Sequence, residues 1–279
     1  MTDLAEVLGV ATDAARAGGD VALAGAGDLG YLSWKGPRDA LLGRALTVQQ
    51  AIVSVIQRRF PDHAILKEEG PDDEEMPVEA DPLWIVDPIC GSINYLIHDP
   101  HYAIGIGYRE AGFWQVGVVY EPARGDLYTG VRGARAHLNG QPIRTDQFAD
   151  GTEAIERAVV GIDWPATDAA RREMSLVVNV LSNQVLGLRA FGSPALGVCA
   201  VAAGRLHGYV TLGLKLWDLA PASVILQAAG GVVTDGLGAA WMHSPDGSCI
   251  ASNATIHGRL ITSFGPLNAL RRMNLAPQS

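Results

Sequence analysis

Hydrophobic positions along the first sixty residues recur at helical spacing. In residues 3–23, Leu4, Val7, Leu8, Ala11 and Ala15 fall three or four apart and share one face. Gly18-Gly19 then predicts a break or a loosening of that helix. A second amphipathic helix is expected over 45–60, where Val48, Ala51, Ile52, Val55 and Ile56 repeat before Pro61. The two are expected to pack on each other. The period then shortens: "WIVDPI", "YAIGIGYRE", "FWQVGVVYEP" and "GDLYTGVRG" are short runs rich in Val, Ile, Tyr and Trp. Turn signals such as "EAG" and "PARG" separate them, which predicts an antiparallel meander. From about residue 152 the pattern alternates. A strand at 158–163 is followed by helices over 168–187 and 194–204, a strand at 206–212, a helix at 220–230 and a strand at 231–235, as in layered α/β structure.

At 279 residues and 48% hydrophobic, the chain can bury a large core. It contains no internal repeat and no linker rich in Gly, Ser or Pro. The economical reading is two sub-domains, 1–150 and 151–279, sharing a cleft in which a ligand would bind. The net charge of -9 argues against nucleic-acid and anionic-membrane partners, which demand a basic surface. Six carboxylates lie in "PDDEEMPVEADP" (71–82), read as a solvated mobile loop. Three widely spaced cysteines suggest no disulfide framework and fit a reducing cytoplasm. The N-terminus has no basic segment before an apolar one, and no apolar run reaches membrane-spanning length, so neither a secretory signal nor a membrane span is expected.

Candidate chemistry lies at element ends. Glu68 and Glu69 follow "AIL", Asp87 follows "WIV", and Asp218 precedes "LAPASVIL". Carboxylates at strand exits project into the crevice beyond a sheet, and several converging there suit magnesium; singly, each also reads as a helix cap or a solvated acid. His63, His98, His101 and His207 have no ligand spacing and are expected in surface or turn roles.

Three stretches, "ILKEEG", "WIVDPICGSINY" and "LKLWDLAPASVILQAAGGVVTD", occur in the order of the signatures of the inositol monophosphatase family and resemble them closely. "YEPARGDLYTGVRGARAHLNGQPI" and "FGSPALGVCAVAAGRLHGYV" extend the resemblance over nearly the whole chain. It implies a layered αβαβα sandwich, usually a homodimer. It also implies a magnesium-dependent phosphomonoesterase in which carboxylates hold metal ions around the phosphate and water attacks phosphorus in line. By position, Glu68, Asp87 and the Ile89 carbonyl match the holders of a first metal, and Asp218 matches a ligand of a second. Gly91 and Ser92 match the phosphate-cradling turn, Ser92 keeping a hydroxyl where the family has Thr. Ser193, Thr211 and Lys215 fall on the substrate wall, with His207 near it.

Departures from the family pattern alter the expectation. Cys90 stands where a second-metal Asp is usual, Ala45 aligns with an Asp that helps to orient the attacking water, and Thr211 aligns with an acid that binds a sugar or cyclitol hydroxyl. Lys67 replaces a Gly and brings a cation to the edge of the site. A Cys-phosphatase loop would need Arg at position 96, which is Leu96. Beside Asp87 and Asp218 the Cys90 thiol also resembles a zinc donor set, but unpaired cysteines more commonly serve as small apolar filling, which is the expectation here. The sequence therefore predicts a family member binding a small phosphorylated or anionic ligand, with one magnesium site, a doubtful second and weakened hydrolysis. The alternative is a specialised phosphomonoesterase for a sugar, cyclitol or nucleotide monophosphate.

Overall fold

A computed structural model describes residues 2–25, 30–36, 38–70, 77–146, 154–241 and 247–275. Most of the acidic run, 71–76, lies outside the described residues. In the first half the order is α1 (Leu4–Ala24), β1 (Leu32–Gly36), β2 (Asp39–Leu42), α2 (Gly43–Arg59), β3 (Ala64–Lys67), β4 (Leu83–Cys90) and α3 (Ser92–Leu96). Then come β5 (Ala103–Glu110), β6 (Phe113–Glu121), β7 (Asp126–Val131), β8 (His137–Leu138) and β9 (Gln141–Pro142). The second half runs β10 (Val159–Ile162), α4 (Asp168–Ser182), β11 (Gly187–Ala190), α5 (Pro194–Ala202), β12 (Gly208–Thr211) and α6 (Leu216–Ala228). It closes with β13 (Gly231–Thr234), β14 (Cys249–Asn253), α7 (His257–Ser263) and α8 (Gly265–Leu275).

Strands β3 to β9 form a seven-stranded sheet in sequence order, and the second sheet has the order β11-β10-β12-β14-β13. Side chains alternate across each strand, so each sheet feeds two cores. On β4, Trp84 and Val86 join α1 and α2 in one core, while Leu83 and Ile85 point into a central core with α5 and α6. On β12, Tyr209 faces the central core and Val210 a third, built with α4, α7 and α8. The layers are therefore helix, sheet, helix, sheet, helix. Residues 195–202 of α5 and 219–226 of α6 are buried without exception, as helices enclosed between two sheets must be.

Close approach of α6 to the larger sheet rests on absent side chains. Gly107 pairs with Gly117, and Gly117 with Gly130, so the three form one row across β5, β6 and β7. A Cβ on Gly117 would lie 2.0 Å from the Pro221 carbonyl oxygen, and one on Gly130 would lie 2.7 Å from the Ile225 Cα. Gly18 and Gly19 serve the same purpose in α1, correcting the expected break. The helix runs through them to Ala24, and a Cβ at Gly18 or Gly19 would strike Ile52 or Tyr120 at 2.7 or 2.5 Å.

The meander and the first two helices lie where the sequence places them. The helix expected over 168–187 ends at Ser182; residues 183–186 turn, and Gly187 opens the edge strand β11. Helix α6 begins at Leu216, which puts Asp218 in its first turn. Among the described residues no helix is long and apolar enough to cross a membrane.

Candidate metal and phosphate site

The site forms where β3 and β4 run out beside α6. The two strands are parallel, with Lys67 opposite Val86, and the Glu68 N–H donates to the Val86 carbonyl at 3.2 Å just past the end of β3. Pairing of β4 with β5 is interrupted between Asp87 and Cys90, where Asp87 Oδ1 accepts the Ile89 N–H at 3.1 Å. Gly91 follows with φ +108°, a left-handed conformation suited to glycine. There is little room for more, since a Cβ would stand 3.0 Å from the Gly192 carbonyl oxygen. Ser92 opens the short helix α3. Helix α6 contributes Asp218, whose Oδ2 accepts the Lys215 N–H at 2.7 Å.

Asp87, Cys90 and Asp218 are brought together, with donor atoms all within 4.8 Å of one another. Glu68 stands beside them. Burial pushes its carboxyl up to about 8; Lys35 opposes that shift, and Glu69 and Asp218 add to it. Burial likewise raises Asp87 well above the ordinary carboxylate range, reinforced by Glu68 and Asp218. Asp87 is 1% exposed, and its Oδ2 has no hydrogen-bond partner. A bound cation would satisfy that orphaned acceptor and restore ionisation to the carboxylates around it. Cys90, 3% exposed, accepts from the Ser193 Oγ–H and the Ala195 N–H, each at 3.4 Å.

Other expected positions divide. Ala45 is buried against the helix–sheet core and presents no polar group. Thr211 lines a cavity of about 930 Å³ together with Trp34, Asn94, Asp163, Trp164, Arg189 and others, and its hydroxyl donates to the Asp163 carbonyl at 3.1 Å. Ser193 is fully buried behind that cavity's rim against Cys90. Lys215 lines a separate, smaller cavity beside Trp241. Three of the four histidines expected in surface or turn roles make side-chain hydrogen bonds, and His101 also lines the cavity of about 930 Å³. His63 accepts from the Trp84 indole at 3.1 Å, His101 pairs with Asp99 at 2.8 Å, and His207 accepts the Val159 N–H at 3.1 Å.

Sequence reasoning missed three contributors. Lys35, on the β1–β2 hairpin, places Nζ 2.7 Å from Glu69 Oε2 and 3.6 Å from Glu68 Oε1. Gln49 clamps the Glu69 backbone from α2, donating to its carbonyl at 2.5 Å and accepting its N–H at 2.9 Å. Asp163 accepts from the Phe191 and Gly192 N–H groups at 3.0 and 2.5 Å and from the Tyr209 hydroxyl at 2.7 Å, which fixes the turn leading to Ser193. Asp163 follows β10 as Asp87 lies near the end of β4, so the strand-exit rule could have found it.

A five-layer αβαβα sandwich with a carboxylate cluster near strand ends, beside a glycine turn into a short helix, defines the class: a layered α/β fold with an acidic crevice. Comparison narrows the class. A profile described as the inositol monophosphatase family matches residues 3–268, and the chain belongs to that family. Nus factor SuhB of Pasteurella multocida (strain Pm70) is 33% identical over 232 residues, 82% of this chain and 85% of that protein. Nus factor SuhB of Pseudomonas aeruginosa is 31% identical over 267 residues, covering 93% and 96%. Among solved structures, extragenic suppressor protein suhB from Bartonella henselae superposes with a TM-score of 0.85 at 28% identity, covering 92% of this chain and 98% of that one. Inositol monophosphatase from Anabaena (Nostoc) sp. PCC 7120 gives 0.78 at 29% identity, covering 95% and 97%.

Proposed function

We propose that this chain binds a small phosphorylated or anionic ligand through one magnesium ion held by Glu68, Asp87 and the Ile89 carbonyl, and that it hydrolyses phosphomonoesters only weakly. The observation that carries the reading is the pair of positions 90 and 45: a buried thiol where the family places a carboxylate, and a buried methyl where it places the acid that orients water. The orphaned Asp87 Oδ2 and the raised Glu68 carboxyl fit a hard cation. Bound there, magnesium would neutralise phosphate charge and polarise the phosphoryl group. In this reading Gly91 and Ser92 carry the phosphate at the start of α3. The rest of the ligand extends into the cavity of about 930 Å³, which suits a sugar, cyclitol or nucleotide monophosphate. Thr211 offers that ligand a hydroxyl-bearing wall in place of a carboxylate. We include a homodimer in this reading, on the family precedent, in a cytoplasmic setting, and the net charge of -9 supports a small-molecule ligand over nucleic acid or an anionic membrane. Both halves of the chain, 1–150 and 151–279, contribute to the site.

The test is calorimetric binding and phosphate release over a panel of cyclitol, sugar and nucleotide monophosphates at varied magnesium, with Asp87→Ala and an Ala45→Asp/Cys90→Asp double variant alongside. The expected result is magnesium-dependent binding to the unmodified chain, lost in Asp87→Ala, with appreciable phosphate release only from the double variant. Efficient turnover by the unmodified chain that disappears in Asp87→Ala would replace this reading by that of a specialised phosphomonoesterase.

A further inference from the structure

Cys90 does more than fill the space of a missing carboxylate. We propose that Asp87, Cys90 and Asp218 form a mixed sulfur and oxygen site that takes a thiophilic divalent cation of the zinc class in preference to magnesium. Three observations converge. Their donor atoms lie within 4.8 Å of one another, and drawing in to the separations of about 3.4–3.6 Å that tetrahedral metal–sulfur and metal–oxygen bonds require takes a shift on the order of 1 Å, within reach of side-chain rotation. Asp87 Oδ2 is buried without a hydrogen bond, in a carboxylate that neighbours Glu68 and the Cys90 thiol. Finally, the Cys90 sulfur receives two hydrogen bonds, from the Ser193 hydroxyl and the Ala195 N–H. Donors of that kind stabilise and orient a thiolate ligand. Cys199 and Cys249, the other buried cysteines, receive no such bonds among the described residues.

The chemistry of the donors sets the preference. Magnesium demands near-octahedral oxygen coordination and holds its water tightly, whereas a thiolate with carboxylates suits zinc and its softer relatives. Binding is balanced by release of the Cys90 thiol proton to solvent as the metal–sulfur bond forms. Ser193 and Ala195 act here as positioning groups. The inference shares Asp87 with the proposed magnesium position and is otherwise independent of it, because Glu68 and the Ile89 carbonyl belong only to that position.

The full chain, stripped of metal by chelation, is titrated with cobalt(II) as a spectroscopic stand-in for zinc. The expected result is a near-ultraviolet thiolate-to-cobalt charge-transfer band that saturates at about one equivalent. Zinc should displace it and a large excess of magnesium should not. Cys90→Ser should abolish the band, and Ser193→Ala should weaken cobalt affinity about tenfold. X-ray absorption on the zinc-loaded, unsubstituted chain supplies a reading that no folding defect can confuse: one sulfur neighbour at about 2.3 Å is expected. An all-oxygen or nitrogen shell, a band that persists in Cys90→Ser, or displacement by magnesium overturns the inference. Magnesium-dependent ligand binding without the cobalt band defeats this inference alone, and the band without such binding defeats the proposed function alone.

Discussion

The Ser193 hydroxyl donates to the Cys90 sulfur across 3.4 Å, linking residues 103 positions apart at the point where β4 meets the start of α5. A carboxylate at position 90 would accept the same two donors but would add a further buried acid beside the buried Asp87 and the partly buried Asp218. In chelator, Cys90→Asp is therefore expected to be less stable than the unmodified chain by on the order of 2 kcal/mol. Magnesium should reverse the deficit, raising the melting temperature of the variant more than that of the parent. Thermal melts with and without magnesium measure both effects, and equal magnesium shifts would contradict the assignment of position 90 to a cation site.

Glu68 makes metal-free stability depend on pH. Its carboxyl moves from an ordinary value of 4.5 to about 8 on folding, so between those limits the folded chain holds a proton that the unfolded chain has released. Metal-free stability is expected to fall as pH rises through that window and to level off above it. Divalent cations compete with that proton, so magnesium should stabilise more at pH 8 than at pH 6. Urea titrations across the window in chelator and in magnesium give the slope. A slope that Glu68→Gln leaves unaltered would remove Glu68 from the explanation.

Legibility in the sequence followed the range of each interaction. The α1 and α2 stripes and the β4 to β7 runs were readable because burial on one face imposes a period on neighbouring residues. Asp87 and Asp218 were readable because both lie inside quoted motifs, Asp218 in the first turn of α6 and Asp87 within β4 three residues before its end. Lys35 was not, since the exposed run Leu32–Lys35 of β1 has no alternation to mark it. Gln49 meets Glu69 across 20 residues through α2 packing, a relationship no local pattern encodes. The glycine row beneath α6 becomes visible only once the strand register is known, and for the same reason Gly18-Gly19 reads as a break in sequence but is a packing contact in the fold.

That row yields a sharp expectation. Gly117→Ala would force a methyl against the Pro221 carbonyl oxygen, which lies on backbone that cannot swing aside. Overpacking of this kind costs about 1–3 kcal/mol or more. Because α6 carries Asp218, the displaced helix should also weaken metal binding. Gly125→Ala, at a turn where a Cβ meets nothing within 4 Å but φ is +68°, isolates the conformational cost of losing a glycine. Denaturant unfolding is expected to show the larger loss for Gly117→Ala, with reduced metal affinity in that variant only.

Asp163 governs the same neighbourhood from the other sheet. Its carboxylate is the acceptor for the Phe191 and Gly192 N–H groups and the Tyr209 hydroxyl, and the turn it holds leads directly to Ser193. Asp163→Ala leaves three buried or partly buried donors without that acceptor, which should cost about 2–4 kcal/mol at roughly 1–3 kcal/mol per orphaned group after partial relaxation. Asp163→Asn keeps one carbonyl oxygen for the two N–H groups and lets the amide donate to the Tyr209 oxygen, so it should recover more than half of the loss. If Asp163 acts by positioning Ser193, the alanine variant also loosens the donors to Cys90 and reduces cobalt affinity, while the asparagine variant holds it near the parent value. Chemical denaturation and metal titration of the pair test this together. Equal stability losses in the two variants, or cobalt affinity unchanged in Asp163→Ala, would limit Asp163 to a structural role remote from the site.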